Sequence, residues 1–136
     1  MAGVALGVER TDRTVLVVDD DTNLRDLIDT LLRRAGYRVL TAADAATAQV
    51  RIRTCATDLV IMDLALPGMD GFTFLDQLKR DPATQALPVL IVSAHSDIEW
   101  QARSAELGAA GFVSKPFHVS DLVAAVERIL ATGAAQ

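Results

Sequence analysis

Aromatic side chains are scarce in this sequence: one Trp, one Tyr and four Phe make up 4% of 136 residues. The core must therefore be aliphatic, and 51% hydrophobic residues, mostly Val, Leu, Ile and Ala, can supply it. That fraction excludes a disordered chain, which lacks apolar surface to offset the entropy of ordering. Cysteine is scarcer still. Cys55 stands alone, so an internal disulfide is excluded, a reducing compartment is expected, and the thiol is read as packing. Basic residues are outnumbered, 13 against 18 acidic, for a formal net charge of -5. Binding to nucleic-acid phosphates draws on a surplus of Lys and Arg, so no direct nucleic-acid partner is expected. The best apolar run, Leu59 to Leu66, is interrupted by Asp63 and falls far short of the roughly 20 residues that span a membrane. The first 13 residues lack the apolar segment of a secretory signal. A cytoplasmic location without a membrane partner is the expectation. There is neither an internal repeat nor a low-complexity linker, and 136 residues is the size of one domain.

Five apolar runs are present: Val15–Val18, Val39–Leu40, Leu59–Met62, Val89–Val92 and Gly111–Val113. The first, third and fourth are near-continuous and rich in β-branched residues, the pattern of strands covered on both faces. Helical spacing lies between them. Leu24, Leu27, Ile28, Leu31 and Leu32 form a stripe that ends at Gly36, a C′ glycine. Ala45 to Ile52 is an Ala-rich second helix with Asp44 as its N-cap. Phe72, Leu75 and Leu78 mark a third helix. A fourth spans Ile98 to Leu107 and ends at Gly108, its apolar stripe read as Ile98, Ala102 and Ala105 with Trp100 off it and partly exposed. Leu122 to Leu130 mark a fifth. Five alternations of strand and helix predict one α/β domain, a parallel sheet wrapped on both faces by right-handed crossovers. Its expected extent is 14–131, with 1–13 a flexible extension and 132–136 a tail.

In open parallel sheets, ligands bind beyond the carboxyl ends of the strands. Strand one ends in Asp19-Asp20-Asp21, strand three in Asp63, strand four in Ser93-Ala94 and strand five in Lys115-Pro116. Carboxylates, a hydroxyl and a lysine thus converge on one edge, with no counterpart at the other. Clustered carboxylates repel unless a cation lies among them. Hard oxygen donors with room for water suit Mg²⁺. An aspartate can also attack phosphorus to form an acyl phosphate, and a lysine and a hydroxyl aimed at the same point would hold the phosphoryl oxygens. Asp21 by itself reads as the cap of the following helix.

The segments Val-Leu-Val-Val-Asp19-Asp20, Ile61-Met-Asp63-Leu-Ala-Leu-Pro67-Gly-Met-Asp70-Gly71, Val92-Ser93-Ala94 and Gly111-Phe112-Val-Ser-Lys115-Pro116-Phe117 resemble, in order, the receiver domains of two-component response regulators of the chemotaxis-regulator type. The resemblance covers roughly Thr14 to Leu130. It implies a flavodoxin-like sheet of strand order 2-1-3-4-5 and a phosphorylated aspartate at Asp63. The implied metal is Mg²⁺ (or Mn²⁺), held by Asp20, Asp63 and the Ala65 carbonyl, with Asp19 acting beside Asp20, often through water. Ser93 and Lys115 would contact the phosphoryl group, with backbone N–H groups near Ala65 and Ala94. Ser93 and Phe112 match the switch pair, and the bond before Pro116 would be cis. Ala65 and His95 stand where the family tunes phosphate lifetime, although His95 also reads as an inert surface histidine and Phe112 as ordinary core. Pro67-Gly68 reads as a turn, Gly71 as clearance for the third helix, and His118 as a residue near the cap of the last helix and not a metal ligand.

The function so implied is a phosphoacceptor switch. It would take a phosphoryl group from a histidine kinase or histidine phosphotransfer protein and signal to a downstream protein through helix four, strand five and helix five. Its own chemistry would stop at self-catalysed phosphorylation and slow dephosphorylation, so it would not count as an enzyme. Homodimerisation through that face is common in the family. A stand-alone regulator is expected, from the native-looking Met1 and a C-terminus without an effector, against the alternative of a receiver from a longer regulator or hybrid kinase. A haloacid-dehalogenase-type phosphatase shares the Asp-x-Asp, but that pattern wants Thr or Val where Asn23 stands and a later acidic pair where Ser93-Ala94 stands. A pseudo-receiver used only for binding is disfavoured by the intact Asp20, Asp63, Ser93 and Lys115.

Overall fold

The computed structural model describes residues 13–95 and 97–134. In chain order the elements are β1 (Thr14–Val18), α1 (Thr22–Arg34), β2 (Arg38–Ala42), α2 (Ala45–Thr54), β3 (Leu59–Met62), α3 (Gly71–Arg80), β4 (Val89–Ser93), α4 (Ile98–Glu106), β5 (Gly111–Ser114) and α5 (Val119–Ala134). The strands form one parallel sheet in the order β2-β1-β3-β4-β5. This is the flavodoxin-like order expected of the chain.

Side chains alternate across each strand, so the apolar runs feed two cores. Val15, Val17, Leu59, Ile61, Leu90 and Val92 pack with Ile28 and Leu32 of α1 and Leu122, Val126 and Ile129 of α5. Leu16, Val18, Val60, Met62, Val89 and Ile91 face the other way, onto Ala45 and Ala48 of α2 and Phe72, Phe74, Leu75 and Leu78 of α3. Every residue of β1, β3 and β4 is buried, which is why those runs show no polar alternation. The edge strands β2 and β5 are only partly covered, and β5 contains no buried residue.

Local signals place the helices. The Asp21 carboxylate accepts from the N–H groups of Asn23 and Leu24, Asp44 from Thr47, Asp70 from Phe72 and Asp97 from Trp100. Gly36 closes α1 with φ 101°, a conformation that L side chains rarely adopt. Gly71 answers a different need. A Cβ there would fall 2.5 Å from the Leu64 Cα and 2.7 Å from the Leu64 carbonyl oxygen, so the first turn of α3 lies directly on the chain leaving β3. Gly71→Ala should destabilise the fold by about 3 kcal/mol, because backbone and not a flexible side chain must move. Urea unfolding measures this, and an unchanged midpoint would show that the contact relaxes freely.

Four expectations need correction. Leu27, in the apolar stripe of α1, is 47% exposed. The phase of α4 is rotated: Ile98 is 84% exposed, Ala102 and Ala105 are exposed, and Trp100, Ser104 and Leu107 turn inward. The indole has far more surface to bury than the two alanines, and it finds the Phe72 ring 5.1 Å away. α5 begins before Leu122 and continues to Ala134, three residues into the stretch read as a tail. Arg13 is tied to the fold: its carbonyl accepts from the Arg38 N–H at 3.0 Å and its guanidinium donates to the Leu130 carbonyl at 3.3 Å. The rest of the expected extension, residues 1–12, lies outside the described residues, as do 135 and 136.

Candidate functional site

The register decides what meets at the carboxyl edge. Val18 pairs with Met62 and Ser93 with Ser114. The next residues, Asp19 and Asp63, therefore leave adjacent strands side by side, where the chain order of the sheet reverses, and Lys115 leaves β5 beside Ser93. Asp19 is 3% exposed, Asp63 8% and Ser93 0%.

Two buried carboxylates this close require a counter-charge, and Lys115 provides it. Its Nζ lies 2.6 Å from Asp63 Oδ2 and 3.0 Å from Asp19 Oδ2. Burial by itself would lower the pKa of the Lys115 ammonium. The hydrogen bonds to Asp63 and Asp19 and the attraction of both charges outweigh it, so the pKa lies above the ordinary lysine value. The plane of the Asp63 carboxylate is set from its other oxygen, Oδ1, which accepts from the Ala65 N–H at 3.0 Å.

Asp19 is anchored at every polar group. Its N–H donates to the Ala42 carbonyl at 3.1 Å. Oδ1 accepts from the Asp21 N–H at 2.9 Å, and its carbonyl from Arg25 Nη1 at 2.9 Å. Asp20 follows Asp19 in the chain and is exposed, as are Ala65 and Ala94. Ser93 Oγ accepts from the His95 N–H at 3.1 Å, and the Lys115–Pro116 peptide is cis. The His118 carbonyl accepts from the Asp121 and Leu122 N–H groups at the start of α5, in keeping with a cap position.

The donor set fits a hard divalent cation. Among the described residues no three His, Cys, Asp or Glu side chains form a ready-made cage. Instead Asp19 and Asp63 share one cationic partner, Asp20 is exposed beside them, and the Ala65 backbone lies at the rim. Mg²⁺ usually takes one or two carboxylates and keeps several waters, so it suits such a half-open set better than an enclosed one.

One arrangement was not foreseen. The His95 imidazole stacks on the Trp100 indole at 4.5 Å and 20°. Trp100 also packs against Phe72, over whose ring the Arg103 guanidinium lies at 4.2 Å. The loop after β4 is thereby tied to α4 and α3, and Phe112 is half-buried against the same core. Both aromatic partners and His95 were visible in the chain, but the rotated phase of α4 concealed their meeting. Arg25 was missed as well; its only signal was a basic residue four positions after Asp21.

The sequence profile described as "Response regulator receiver domain" matches residues 15–127. The chain is 36% identical over 116 residues to the DNA-binding dual master transcriptional regulator RpaA of Synechocystis, covering 85% of this chain and 48% of that protein. It is 33% identical over 118 residues to the phosphate regulon transcriptional regulatory protein PhoB of Pseudomonas aeruginosa, covering 87% of this chain and 52% of that one. The chain thus spans about half the length of these curated relatives. Its fold superposes on the chemotaxis response regulator CheY4 of Vibrio cholerae with a TM-score of 0.82 at 30% identity, covering 88% of this chain and 99% of the other.

Proposed function

Since the chain belongs to the family of response regulator receiver domains, we propose that it is a phosphoacceptor switch, charged on Asp63 by a histidine kinase or histidine phosphotransfer protein. The observation that carries this reading is the Lys115 ammonium held between Asp63 and Asp19 at the ends of three strands. In the transfer, an oxygen of the Asp63 carboxylate forms the new P–O bond as the P–N bond to the donor imidazole breaks, and the imidazole leaves with the electron pair. Receiver domains are generally Mg²⁺-dependent, and here Asp19, Asp20, Asp63 and the Ala65 carbonyl would hold the ion. Bound there, Mg²⁺ would neutralise charge on the phosphoryl oxygens.

The protein's own groups do the rest. The Ala65 N–H orients the Asp63 carboxylate, Lys115 neutralises phosphoryl charge, and Ser93 supplies a hydroxyl once it turns from the His95 N–H. No acid or base stands at Ala65, two residues beyond Asp63, to activate a water, so the acyl phosphate persists and the domain is a switch without turnover. Movement of Ser93 draws on the loop that His95 ties to Trp100, and Phe112 responds beside it. Signalling then leaves through α4, β5 and α5 to a protein partner.

The likeness to CheY4 and the likeness to RpaA and PhoB, of which about half is covered, fit two forms of this switch: a single-domain regulator that signals by such contact, and a receiver joined to a further domain. The proposed site of phosphotransfer is the cytoplasm; no helix among the described residues is long and apolar enough to cross a membrane.

A radiolabelled small acyl phosphate tests the assignment. The wild type should take up label only with Mg²⁺ or Mn²⁺ and lose it in hydroxylamine, as an acyl phosphate does; hydroxylamine-stable label would refute it. Beryllofluoride with Mg²⁺ should also change the fluorescence of Trp100, the only tryptophan, since its stacking partner lies in the switching loop. Identical spectra with and without beryllofluoride would exclude a coupled loop.

A further inference from the structure

We propose that Arg25 is the positioning residue of the acidic pocket: by holding the Asp19 carbonyl it orients the Asp19–Asp20 peptide, and so places the Asp20 carboxylate for a divalent cation. The inference rests on the function proposed above. Arg25 lies in the first turns of α1, half-buried, and its Nη1 reaches back 2.9 Å to the Asp19 carbonyl oxygen. The preceding carbonyl, that of Val18, is engaged by the Asp63 N–H at 3.2 Å. At Asp19 the guanidinium supplies the donor.

The consequence falls on Asp20. The Asp19 carbonyl and the Asp20 nitrogen share one rigid peptide plane, so a hold on that oxygen fixes the plane on the N-terminal side of Asp20. On its C-terminal side, the Asp21 N–H donates to Asp19 Oδ1 at 2.9 Å, and the Asp21 side chain caps α1. Asp20 is itself exposed, so its backbone is placed by its neighbours. Without Arg25 the Asp19–Asp20 plane keeps only the restraint of the Asp21 N–H bond to Asp19 Oδ1, so it can tilt further, and the Asp20 carboxylate swings with it.

Charge alone argues the opposite. Arg is always protonated, and a cation beside a metal pocket repels the metal. If Arg25 acted only through its charge, removing it would tighten metal binding; if it positions Asp20, removing it loosens binding. The two accounts differ in sign.

The experiment is Mn²⁺ binding, followed by the electron paramagnetic resonance of the free ion, for the wild type, Asp20→Asn, Arg25→Met and Arg25→Lys, with thermal unfolding recorded for each. The wild type should bind and Asp20→Asn should bind more weakly. Arg25→Met should raise the Kd for Mn²⁺ about tenfold, the usual scale for loss of a group that orients a ligand, while keeping a cooperative unfolding transition. Arg25→Lys keeps the charge but not the reach and geometry of the fork, so it too should bind more weakly than the wild type. Equal or tighter binding by Arg25→Met overturns the inference and leaves the phosphoacceptor reading standing. Should Arg25→Met fail to fold, Arg25→Lys decides, and a wild-type Kd in that variant overturns the inference. A wild type that binds no Mn²⁺ overturns both.

Discussion

Asp63→Asn should take no label from a radiolabelled small acyl phosphate in the presence of Mg²⁺, under conditions that label the wild type. The substitution is nearly isosteric, so its effect is chemical. A carboxylate oxygen is the nucleophile of the proposed transfer, and a carboxamide, whose nitrogen lone pair is delocalised into the carbonyl, has none of comparable reactivity. The structure shows what else changes. Asp63 uses one oxygen for the Ala65 N–H at 3.0 Å and the other for Lys115 at 2.6 Å. Asn has a single oxygen for these two donors, so one of them loses its acceptor. Ala65 is exposed, where water can replace the lost bond, and the carbonyl is expected to keep Lys115. The variant should therefore fold with a stability loss of about 1 kcal/mol, and circular dichroism can confirm that lost labelling is not lost structure. Labelling at the wild-type level would place the phosphoacceptor elsewhere.

Lys115→Ala should separate phosphorylation from its structural consequence. Removing the ammonium leaves Asp19 and Asp63 buried side by side without a counter-charge. Breaking a fully buried pair costs about 3–5 kcal/mol, but this lysine is partly exposed, so a loss of about 1–3 kcal/mol is expected after allowing for solvent screening. Mg²⁺ should restore more stability to the variant than it adds to the wild type, because the ion would occupy a pocket whose two buried carboxylates have lost the ammonium they shared; equal shifts in unfolding temperature would contradict this. The pH dependence has a definite sign. The pKa of Lys115 is raised in the folded protein, so its stabilisation is fully present below the ordinary lysine value of 10.5 and is lost as pH rises through the higher folded value. The wild type should lose this contribution in alkali, and Lys115→Ala should not. The variant should still accept phosphate on Asp63, more slowly, but its Trp100 fluorescence should no longer respond. A normal response would assign the coupling to Ser93 alone.

Much of this was legible in the chain because the signals are local. An uninterrupted run of β-branched residues is what burial on both faces requires, and Val15–Val18, Leu59–Met62 and Val89–Val92 are all buried as expected. Asp21 and Asp44 cap their helices through atoms two or three residues away, and the need for a residue without Cβ at Gly71 arises where α3 lies on the chain that leaves β3 a few residues earlier. The edge residues Asp19, Asp63, Ser93 and Lys115 could be read together because parallel strands deliver all their carboxyl ends to one side, whatever lies between them.

The phase of α4 was not legible. Its nine residues carry few large apolar groups, so periodicity alone could not choose between Ile98 and Trp100; the Phe72 ring, distant in sequence, made the choice. The hold of Arg25 on Asp19 was hidden for a similar reason, since whether an arginine reaches back to its own strand end depends on how α1 leaves the sheet.

The sequence by itself determined the alternation of strands and helices, the aliphatic character of the core, the caps, and which edge of the sheet carries the chemistry, because each follows from contacts within one turn or one strand. Only the tertiary structure decided that Lys115 bridges Asp63 and Asp19, that His95 lies on Trp100, and that Arg25 anchors the acidic loop. Those contacts depend on side-chain reach and angle between elements brought together by packing, and distances of 2.6–3.0 Å at Lys115 are set by the register and twist of the whole sheet.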